Sequence, residues 1–240
     1  MSINSEQCDG IRAKVQTADQ LLVEMYGEPE WSPRLDGVSG LVLTILSQHT
    51  SDKNSGAAFD ELYRHYDGDW EAVANAPMED VARVIRSAGL SNIKAPRIQA
   101  VLREIRGRTG ALDLGFLADV PLNDAKSWLT SLNGVGPKTA ACVLMFSFGL
   151  PVIPVDTHVH RVSRRLGLVG AKTGADAAHE KLAALVPAER AYGFHINLIR
   201  HGRETCKAPV PRCQTCALTS VCDYYREHYL PSRAQEELAR

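Results

Sequence analysis

The chain has 240 residues, of which 45% are hydrophobic, and this is enough for one large or two modest domains with a buried core. Its formal net charge is −1. The longest apolar run, residues 41–46, is far too short to span a membrane, and residues 1–8 lack the basic and apolar regions of a signal peptide. We therefore expect a soluble cytoplasmic protein.

The small net charge conceals an asymmetry along the sequence. Residues 1–85 contain 6 Lys and Arg against 15 Asp and Glu, whereas residues 86–222 contain 18 against 9. A basic segment can provide a phosphate-binding face. Two oppositely charged segments can also simply attract each other within a fold, so the charge pattern alone leaves nucleic-acid binding open.

Apolar positions at three- and four-residue spacing predict helices along most of the chain, and no stretch has the sustained alternation of a strand. The residues of helix 38–48 are apolar on nearly every side, which predicts a central, buried element. Asn123 or Asp124 is expected to cap one helix, and Gly149 with Pro151 to end the next. The polar residues 223–240 are expected to form a loose tail. The further helices are predicted at 80–86, 94–105, 123–132, 138–150, 157–166, 175–185 and 189–201.

A glycine-rich turn separates the predicted helices 123–132 and 138–150, with the sequence Leu132-Asn-Gly-Val-Gly-Pro-Lys-Thr-Ala-Ala141. Its two glycines can adopt positive φ or admit a close backbone approach, Val135 can anchor the turn in the core, and Pro137 suits the first turn of a helix. Amides at the start of that helix could bind phosphate regardless of base sequence. An ordinary helical hairpin is the alternative, but the complete pattern favours a helix–hairpin–helix.

Two charged residues at and after this turn, Lys138 and Asp156, are candidate functional residues. A solvated surface position is the usual explanation of a lysine such as Lys138. Asp156 stands directly before the predicted helix 157–166, where an N-cap is expected. Amides at a helix N-terminus favour an ionised carboxylate, so Asp156 could cap the helix and also supply a fixed negative charge to a reaction.

Four cysteines, Cys206, Cys213, Cys216 and Cys222, form a C-x6-C-x2-C-x5-C pattern. Two disulfides are disfavoured in a cytosolic protein. Four thiolates can hold a tetrahedral zinc ion or a [4Fe–4S] cluster. A Cys-x-x-Cys pair within such a group is rarely accidental, so we expect a metal centre, although spacing alone does not choose the metal.

Taken together, these segments resemble the endonuclease III family of DNA glycosylases, whose superfamily combines a helix–hairpin–helix, a Gly/Pro-rich turn and an aspartate. The matching motifs extend over roughly residues 20–222, and the cysteine spacing is similar to the family's [4Fe–4S] loop rather than to a zinc module. His49-Thr50-Ser51 departs from the commonest family pattern at the expected lesion pocket. The motifs, in chain order, are Leu46-Ser-Gln-His-Thr-Ser-Asp52, Gly89-Leu-Ser-Asn-Ile-Lys-Ala95, Leu132 to Ala141, Val155-Asp-Thr-His158, and His201-Gly-Arg-Glu-Thr-Cys206 with the cysteines that follow.

This resemblance implies an all-α fold in which two helical domains flank a DNA-binding cleft. A six-helix barrel with the hairpin is expected at residues 30–150. The cluster domain is expected to join residues 1–29 to residues 151–222, followed by the tail 223–240. We expect a cytoplasmic, nucleoid-associated monomer that acts on double-stranded DNA.

The resemblance also implies an activity, namely excision of oxidised pyrimidines such as thymine glycol, followed by β-elimination at the abasic site. Lys138 would be the nucleophile that forms a Schiff base with C1′ of the damaged nucleotide, and Asp156 would stabilise the cationic sugar and assist proton transfer. The lesion must first be flipped from the stack. Gln48 and Leu90 would fill the vacated space, although a helix-terminal polar residue and a core leucine are the ordinary explanations of these two.

Further DNA contacts are implied for Gly134, Val135, Gly136 and Thr139 in the hairpin. Lys207 and Arg212, inside the cysteine loop, would contact phosphates, although solvated loop charges are equally ordinary there. Cys206, Cys213, Cys216 and Cys222 would hold the [4Fe–4S] cluster, which would be a structural staple of the loop. Cys142 is expected in the core of its helix.

Related enzymes and one different class of protein are the alternatives. Adenine-mismatch glycosylases have another residue at the position of Lys138 and an extra C-terminal domain, and thymine-mismatch glycosylases are also disfavoured by the lysine. The 8-oxoguanine branch usually lacks the four-cysteine loop. A catalytically silent DNA-binding protein with a structural zinc is the alternative from another class, and the presence of both Lys138 and Asp156 argues against it.

Overall fold

The structure is a computed structural model that describes the backbone of residues 5–238 and the side chains of residues 9–235, and within these limits it is entirely helical. No helix among the described residues is both long and apolar enough to cross a membrane. The α-helices are α1 (Ser5–Tyr26), α2 (Gly37–Ser47), α3 (Asp52–His65), α4 (Trp70–Asn75), α5 (Met78–Val84), α6 (Ser91–Thr109), α7 (Leu122–Thr130), α8 (Pro137–Phe148), α9 (Thr157–Leu166), α10 (Ala175–Leu185), α11 (Ala191–Glu204) and α12 (Leu230–Leu238).

The chain divides into two compact units. The first, here called the hairpin unit, runs from Ser32 to Leu150 and contains α2 to α8. The second, here called the cysteine unit, joins the chain up to Trp31 to everything from Pro151 onward. The hairpin unit therefore has seven α-helices where the family resemblance implies a six-helix barrel, and two of the seven, α4 and α5, are short.

Helix α2 shows why the hairpin unit folds as it does. Asp36 caps its N-terminus by accepting hydrogen bonds from the amides of Val38 and Ser39 at 2.9 and 3.0 Å. Eight of its eleven residues are buried. The predicted central, buried helix is therefore confirmed, because an apolar surface on nearly every side can be satisfied only by packing on every side.

Long-range polar contacts attach the N-terminal segment to the cysteine unit. Arg190 donates to Asp19 and Glu28 at 2.6 and 2.7 Å, and Lys14 donates to Asp223 at 2.7 Å. The Asn197 side chain donates to the carbonyl of Gly27 at 3.1 Å. These contacts join residues more than 150 positions apart, so the N-terminal helix belongs to this unit despite its place in the sequence.

Several predictions about the elements were wrong. Three helices, α1, α3 and α4, were not predicted. Helix α7 begins at Leu122 after Pro121, so neither Asn123 nor Asp124 caps it. The loose tail is instead helical from Asp223 to Leu238, with a π-helical turn at Tyr225–Tyr229, while residues 239–240 lie outside the described part. Gly149 ends α8 with φ +66°, as predicted.

Candidate functional site

The hairpin between α7 and α8 uses its two glycines differently. Gly134 has φ +82°, a left-handed conformation that favours glycine, and a Cβ there would lie 2.7 Å from Nε of Arg97. Gly136 has φ −88°, and a Cβ there would meet nothing within 4 Å. Only the first glycine is needed for the turn itself, whereas the second leaves open space beside the backbone.

Val135 lies between these glycines and is 4% exposed, so its predicted anchoring role is confirmed. Its amide donates inward to the carbonyl of Leu132 at 3.1 Å. The amide of Val135 is therefore engaged within the turn, and a direct phosphate bond from it would require this contact to break.

The N-terminus of α8 presents Lys138 and Thr139. Gly136 is the N-cap and provides no side-chain hydrogen bond, and Pro137 occupies the first helical position. Amides in the first turn of a helix have no intrahelical acceptor and carry partial positive charge. The Lys138 side chain is exposed next to them, whereas Thr139 is buried. An exposed amine beside uncapped amides is suited to react with a group that carries phosphates.

Gln48 is held at this hairpin by two hydrogen bonds. It follows α2 as its C-cap residue, and its Nε2 donates to Oγ1 of Thr139 at 3.3 Å. Nη1 of Arg97 donates to Oε1 of Gln48 at 2.7 Å. The half-buried Gln48 side chain is thus fixed between α6 and α8 rather than free at a helix end.

Leu90 is not a core leucine. Its side chain is 52% exposed, and its backbone has φ +49°, an uncommon conformation for a residue with a branched side chain. It is the N-cap residue of α6 and follows Gly89, whose φ is +67°. Ile93, one turn further on, is 53% exposed. The apolar side chain of Leu90 is therefore held outward on a left-handed turn.

Lys94 was missed as a site residue by sequence reasoning. It is 2% exposed, and its Nζ donates to the carbonyls of Leu46 and Ala88 at 2.7 and 2.8 Å. Burial lowers its pKa from the ordinary lysine value. A signal was present in the sequence, because Lys94 lies on the same helical face as Ile98, Val101 and Ile105, which are all buried.

Asp156 caps α9, as predicted. Its carboxylate accepts a hydrogen bond from the amide of Val159 at 2.7 Å, and its side chain is half-buried. The flanking Val155 and Val159 are buried. The cap therefore fixes the orientation of the carboxylate while part of it stays accessible. Asp156 belongs to the cysteine unit, and Lys138 to the hairpin unit.

The four clustered cysteines line one common cavity, together with Arg165, Tyr224 and Tyr225. None of them is in a disulfide. Nη1 of Arg165 donates to Sγ of Cys206 at 3.3 Å, and Cys222 donates from its thiol to the carbonyl of Arg165 at 3.4 Å. Sγ of Cys216 lies 3.5 Å from Nε2 of His201. The sulfurs therefore share one enclosed site that also contains hydrogen-bond partners for them.

Burial raises the pKa of three of these thiols. It raises the pKa of Cys213 and Cys222, and it raises that of Cys216 to about 12. Burial also lowers the pKa of His201 to about 4, so this ring is neutral at pH 7. Four thiols in one cavity, two of them buried and two half-buried, are stable as thiolates only when a positive metal centre compensates their charge.

The donor set of this cavity fits a metal centre. A tetrahedral zinc ion takes four thiolates at about 2.3 Å, and an iron–sulfur cluster also takes four thiolates. The four cysteines that line the cavity therefore match either group.

Lys207 and Arg212 lie in the loop between the first two of these cysteines. Arg212 is exposed and Lys207 is half-buried, and Val210 between them is 74% exposed. The loop is attached to its own unit by Arg165, whose Nη1 donates to the carbonyl of Lys207 at 2.8 Å. The amide of Arg212 donates to the carbonyl of Thr205 at 2.9 Å. The loop therefore projects side chains while its backbone is held.

Comparison with known proteins identifies the family of this arrangement. Residues 42–188 match the model of the HhH-GPD superfamily base excision DNA repair proteins. The chain belongs to this superfamily. It is 36% identical to endonuclease III of Thermotoga maritima over 186 residues, which are 78% of this chain and 82% of the relative. The chain is therefore an endonuclease III-like DNA glycosylase, and the resemblance drawn from its motifs is confirmed.

Two solved structures agree with this assignment. A non-covalent endonuclease III–DNA complex has a TM-score of 0.77 at 27% identity, and it covers 91% of this chain and 98% of its own. A trapped endonuclease III–DNA covalent intermediate has a TM-score of 0.76 at 26% identity, with the same coverage. The predicted all-α fold is confirmed.

The structure brings the sequence-predicted site residues together in two separate groups. In the hairpin unit, Gln48 contacts both Thr139 and Arg97, and Arg97 also packs beside Gly134. The four cysteines meet in the cysteine unit. Besides Lys94, sequence reasoning missed Arg97 and Arg165, whose roles depend on partners 41 to 49 positions away and leave no local signal.

Proposed function

We propose that this glycosylase removes oxidised pyrimidines such as thymine glycol from duplex DNA, and that it cleaves the resulting abasic site by β-elimination through a Schiff base on Lys138. The observation that carries the proposal is the exposed amine of Lys138 in the first turn of α8, beside helix amides that no side chain caps. A lysine with this position can reach a sugar while the adjacent amides bind its phosphate.

In this mechanism, the neutral amine of Lys138 attacks C1′ of the damaged nucleotide and the base leaves. Loss of one proton from nitrogen and cleavage of the bond between C1′ and O4′, with protonation of O4′, give a protonated imine between Nζ and C1′. Removal of a C2′ proton then breaks the bond between C3′ and its phosphate oxygen, which cuts the strand on the 3′ side. The endonuclease III structure described as a trapped covalent intermediate with DNA supports a covalent route in this family.

Asp156 is assigned the electrostatic role in this reaction. Its carboxylate stabilises positive charge on the sugar as the glycosidic bond breaks, and it assists proton transfer. The hydrogen bond from the amide of Val159 supports this role, because it fixes the carboxylate before any substrate arrives.

Gln48 and Leu90 are assigned the space that the flipped base leaves. We call these two the wedge residues. The exposed side chain of Leu90 and the fixed side chain of Gln48 support the assignment. Unstacking a base costs about a few kcal/mol, and contacts that fill the gap offset this cost.

Phosphate contacts are assigned to two loops. In the hairpin, Gly136 leaves room for the DNA backbone, Lys138 and Thr139 supply amides, and Gly134 and Val135 shape the turn. In the cysteine loop, Lys207 and Arg212 supply positive charge beside the projecting Val210. Such contacts position a protein on duplex DNA without reading its sequence.

Cys206, Cys213, Cys216 and Cys222 are assigned as the ligands of a [4Fe–4S] cluster. When bound, such a cluster supplies cross-linking of the loop by metal–thiolate bonds. Around it, Arg165 donates to Cys206, and neutral His201 has its Nε2 next to Cys216. The Tyr26 hydroxyl lies 3.1 Å from Nδ1 of His201, and donation from this hydroxyl leaves the proton on Nε2 for the sulfur.

The experiment that tests this function uses duplexes with a single lesion. Thymine glycol, uracil, 8-oxoguanine and a preformed abasic site are each presented to the purified protein, and base release and strand cleavage are measured separately. We expect release of thymine glycol with β-elimination products, and cleavage of the abasic duplex. Release without cleavage would remove the lyase assignment, and activity on 8-oxoguanine or uracil alone would remove the substrate assignment.

A further inference from the structure

The buried lysine of α6 links the two segments that carry the wedge residues. Nζ of Lys94 donates to the carbonyl of Leu46 and to the carbonyl of Ala88. Each of these carbonyls belongs to a residue two positions before a wedge residue, Gln48 in one case and Leu90 in the other. One ammonium group thus joins two loops that are 42 positions apart in the sequence.

Both loops leave regular structure at this point. Leu46 lies at the C-terminus of α2, where helix carbonyls have no intrahelical donor, and Ala88 ends the 3-10 turn Arg86–Ala88. Left-handed residues follow in each loop, with φ of +55° at His49 and +49° at Leu90. Buried carbonyls need donors, and left-handed conformations are unfavourable for these residues. Lys94 donates a hydrogen bond to both carbonyls at the point where the two loops turn.

Arg97, one turn further along α6, continues this arrangement. Its Nη1 donates to Oε1 of Gln48 at 2.7 Å. A Cβ on Gly134 would lie 2.7 Å from Nε of Arg97, so the Arg97 side chain also packs on the hairpin. Gln48 in turn donates to Thr139 of α8. One face of α6 therefore contacts the Gln48 loop, the Leu90 loop and the hairpin.

We infer that Lys94 and Arg97 are positioning residues for base flipping. Lys94 fixes the separation of the two loops, and Arg97 fixes the side chain of Gln48, so that both wedge residues are in place before the base leaves the stack. Neither residue acts on the substrate itself. The inference rests on the proposed roles of Gln48 and Leu90, and it adds the part of the chain that makes those roles possible.

The physical reason is the cost of ordering. A wedge that must first find its position loses conformational freedom at the moment of flipping, and this loss adds to the unstacking cost. A side chain that is already held in position does not lose this freedom during flipping, which is the general advantage of preorganised sites. An apolar side chain at position 94 would fill the same volume but would leave two carbonyls without a donor.

The test is a mutant cycle. Lys94→Met and Arg97→Met are each made in the wild-type protein and in the Gln48→Ala, Leu90→Ala background, with the exposed Lys172→Met as matched control. Single-turnover excision of thymine glycol, thermal unfolding, and the fluorescence of 2-aminopurine beside an abasic site are measured for each. The fluorescence reports base opening without requiring catalysis.

We expect Lys94→Met to slow excision and base opening by about tenfold to a hundredfold, and Arg97→Met by about threefold to tenfold. In the background without wedge residues both effects should shrink to less than about twofold, because the positioned groups are gone. Lys172→Met should change nothing. The same fold-loss in both backgrounds, with a lower unfolding temperature, would show a purely structural role and overturn the inference.

Three further outcomes are distinguishable. If Lys94→Met does not fold, Arg97→Met decides, because its hydrogen bond reaches only the side chain of Gln48, and equal loss with and without Gln48 would overturn the inference. If the wild type opens the base but excises nothing, the proposed function fails. The fluorescence measurements then still test the positioning roles of Lys94 and Arg97. If Gln48→Ala and Leu90→Ala leave base opening unchanged, the wedge assignment fails and the inference fails with it.

Discussion

The hairpin unit and the cysteine unit order their functional loops in different ways. In the hairpin unit, the loops of Gln48 and Leu90 are held by hydrogen bonds from the chain itself, through the buried Lys94 and through Arg97. In the cysteine unit, the segment from Cys206 to Cys222 has only two short 3-10 turns, and four thiols face a shared cavity. The first arrangement is complete as the chain folds, whereas the second presents the four thiols that would hold the proposed [4Fe–4S] cluster.

The difference has an energetic basis. An ammonium group with two carbonyl acceptors satisfies its partners without any added component. The thiols of the cysteine unit differ in this respect. The pKa of Cys216 is raised to about 12, so its thiolate is unfavourable in this environment without added positive charge. We therefore expect the two regions to respond differently to mutation and to removal of metal.

Lys138→Ala should remove the chemistry and leave both regions ordered. Base excision and strand cleavage should fall by about a thousandfold or more, because loss of a nucleophile cannot be compensated by binding groups. Unfolding temperature and iron content should be unchanged, since the side chain is exposed. The rates are measured under single-turnover conditions beside the exposed-lysine variant Lys172→Ala. Excision retained at the wild-type rate would sink the nucleophile assignment.

Cys213→Ser should disrupt the cysteine unit alone. One ligand is lost from a four-thiol site, so visible absorbance, iron and sulfide content should fall, and DNA binding through Lys207 and Arg212 should fall with them. Cys142→Ala, in α8 of the other unit, is the matched control and should keep its iron. A colourless Cys213→Ser protein with undiminished DNA affinity would contradict the role of the cluster as a staple for this loop.

Asp156→Asn should lower turnover much more than DNA affinity. The amide oxygen can still accept the hydrogen bond from Val159, so the cap and the fold should persist, while the negative charge is lost. The maximal rate should fall by about a hundredfold, a typical cost of removing one electrostatic stabiliser. Measurement of binding and single-turnover rate separates the two quantities, and a pure binding defect would count against a catalytic role.

Gly134→Ala and Gly136→Ala should separate the two functions of the hairpin glycines. Alanine at Gly134 must adopt a left-handed conformation and displace Arg97, so the free energy of unfolding should fall by about 1–2 kcal/mol. Alanine at Gly136 fits the existing backbone and open space, so its main effect should be weaker DNA binding. Chemical denaturation and DNA titration are compared for the pair, and equal stability of both variants would contradict this division.

How far the sequence predicts such a molecule depends on how local the determining contacts are. The burial of Val135, the cap by Asp156 and the end of α8 at Gly149 follow from neighbouring residues, and all three predictions are confirmed. The grouping of the four cysteines in one cavity likewise follows from their close spacing. Local patterns carried these features because the partners lie within one or two turns of chain.

Features that depend on distant partners were missed. The burial of Lys94 runs against the usual solvation of lysine and is explained by two carbonyls, one of them 48 positions away. The helical start of the tail is explained by the ion pair of Asp223 with Lys14 and by Arg165 stacking over Tyr224 at 4.8 Å. Composition alone contains none of these contacts.

The most direct test of the account is borohydride trapping followed by peptide mapping. The protein is incubated with a thymine glycol duplex and with an abasic duplex, reduced, digested, and the modified lysine is identified by mass spectrometry. We predict a covalent adduct with both duplexes, located on Lys138 and absent in Lys138→Ala. An adduct on another lysine, or no adduct with either duplex, would contradict the central claim that this glycosylase acts through a Schiff base on Lys138.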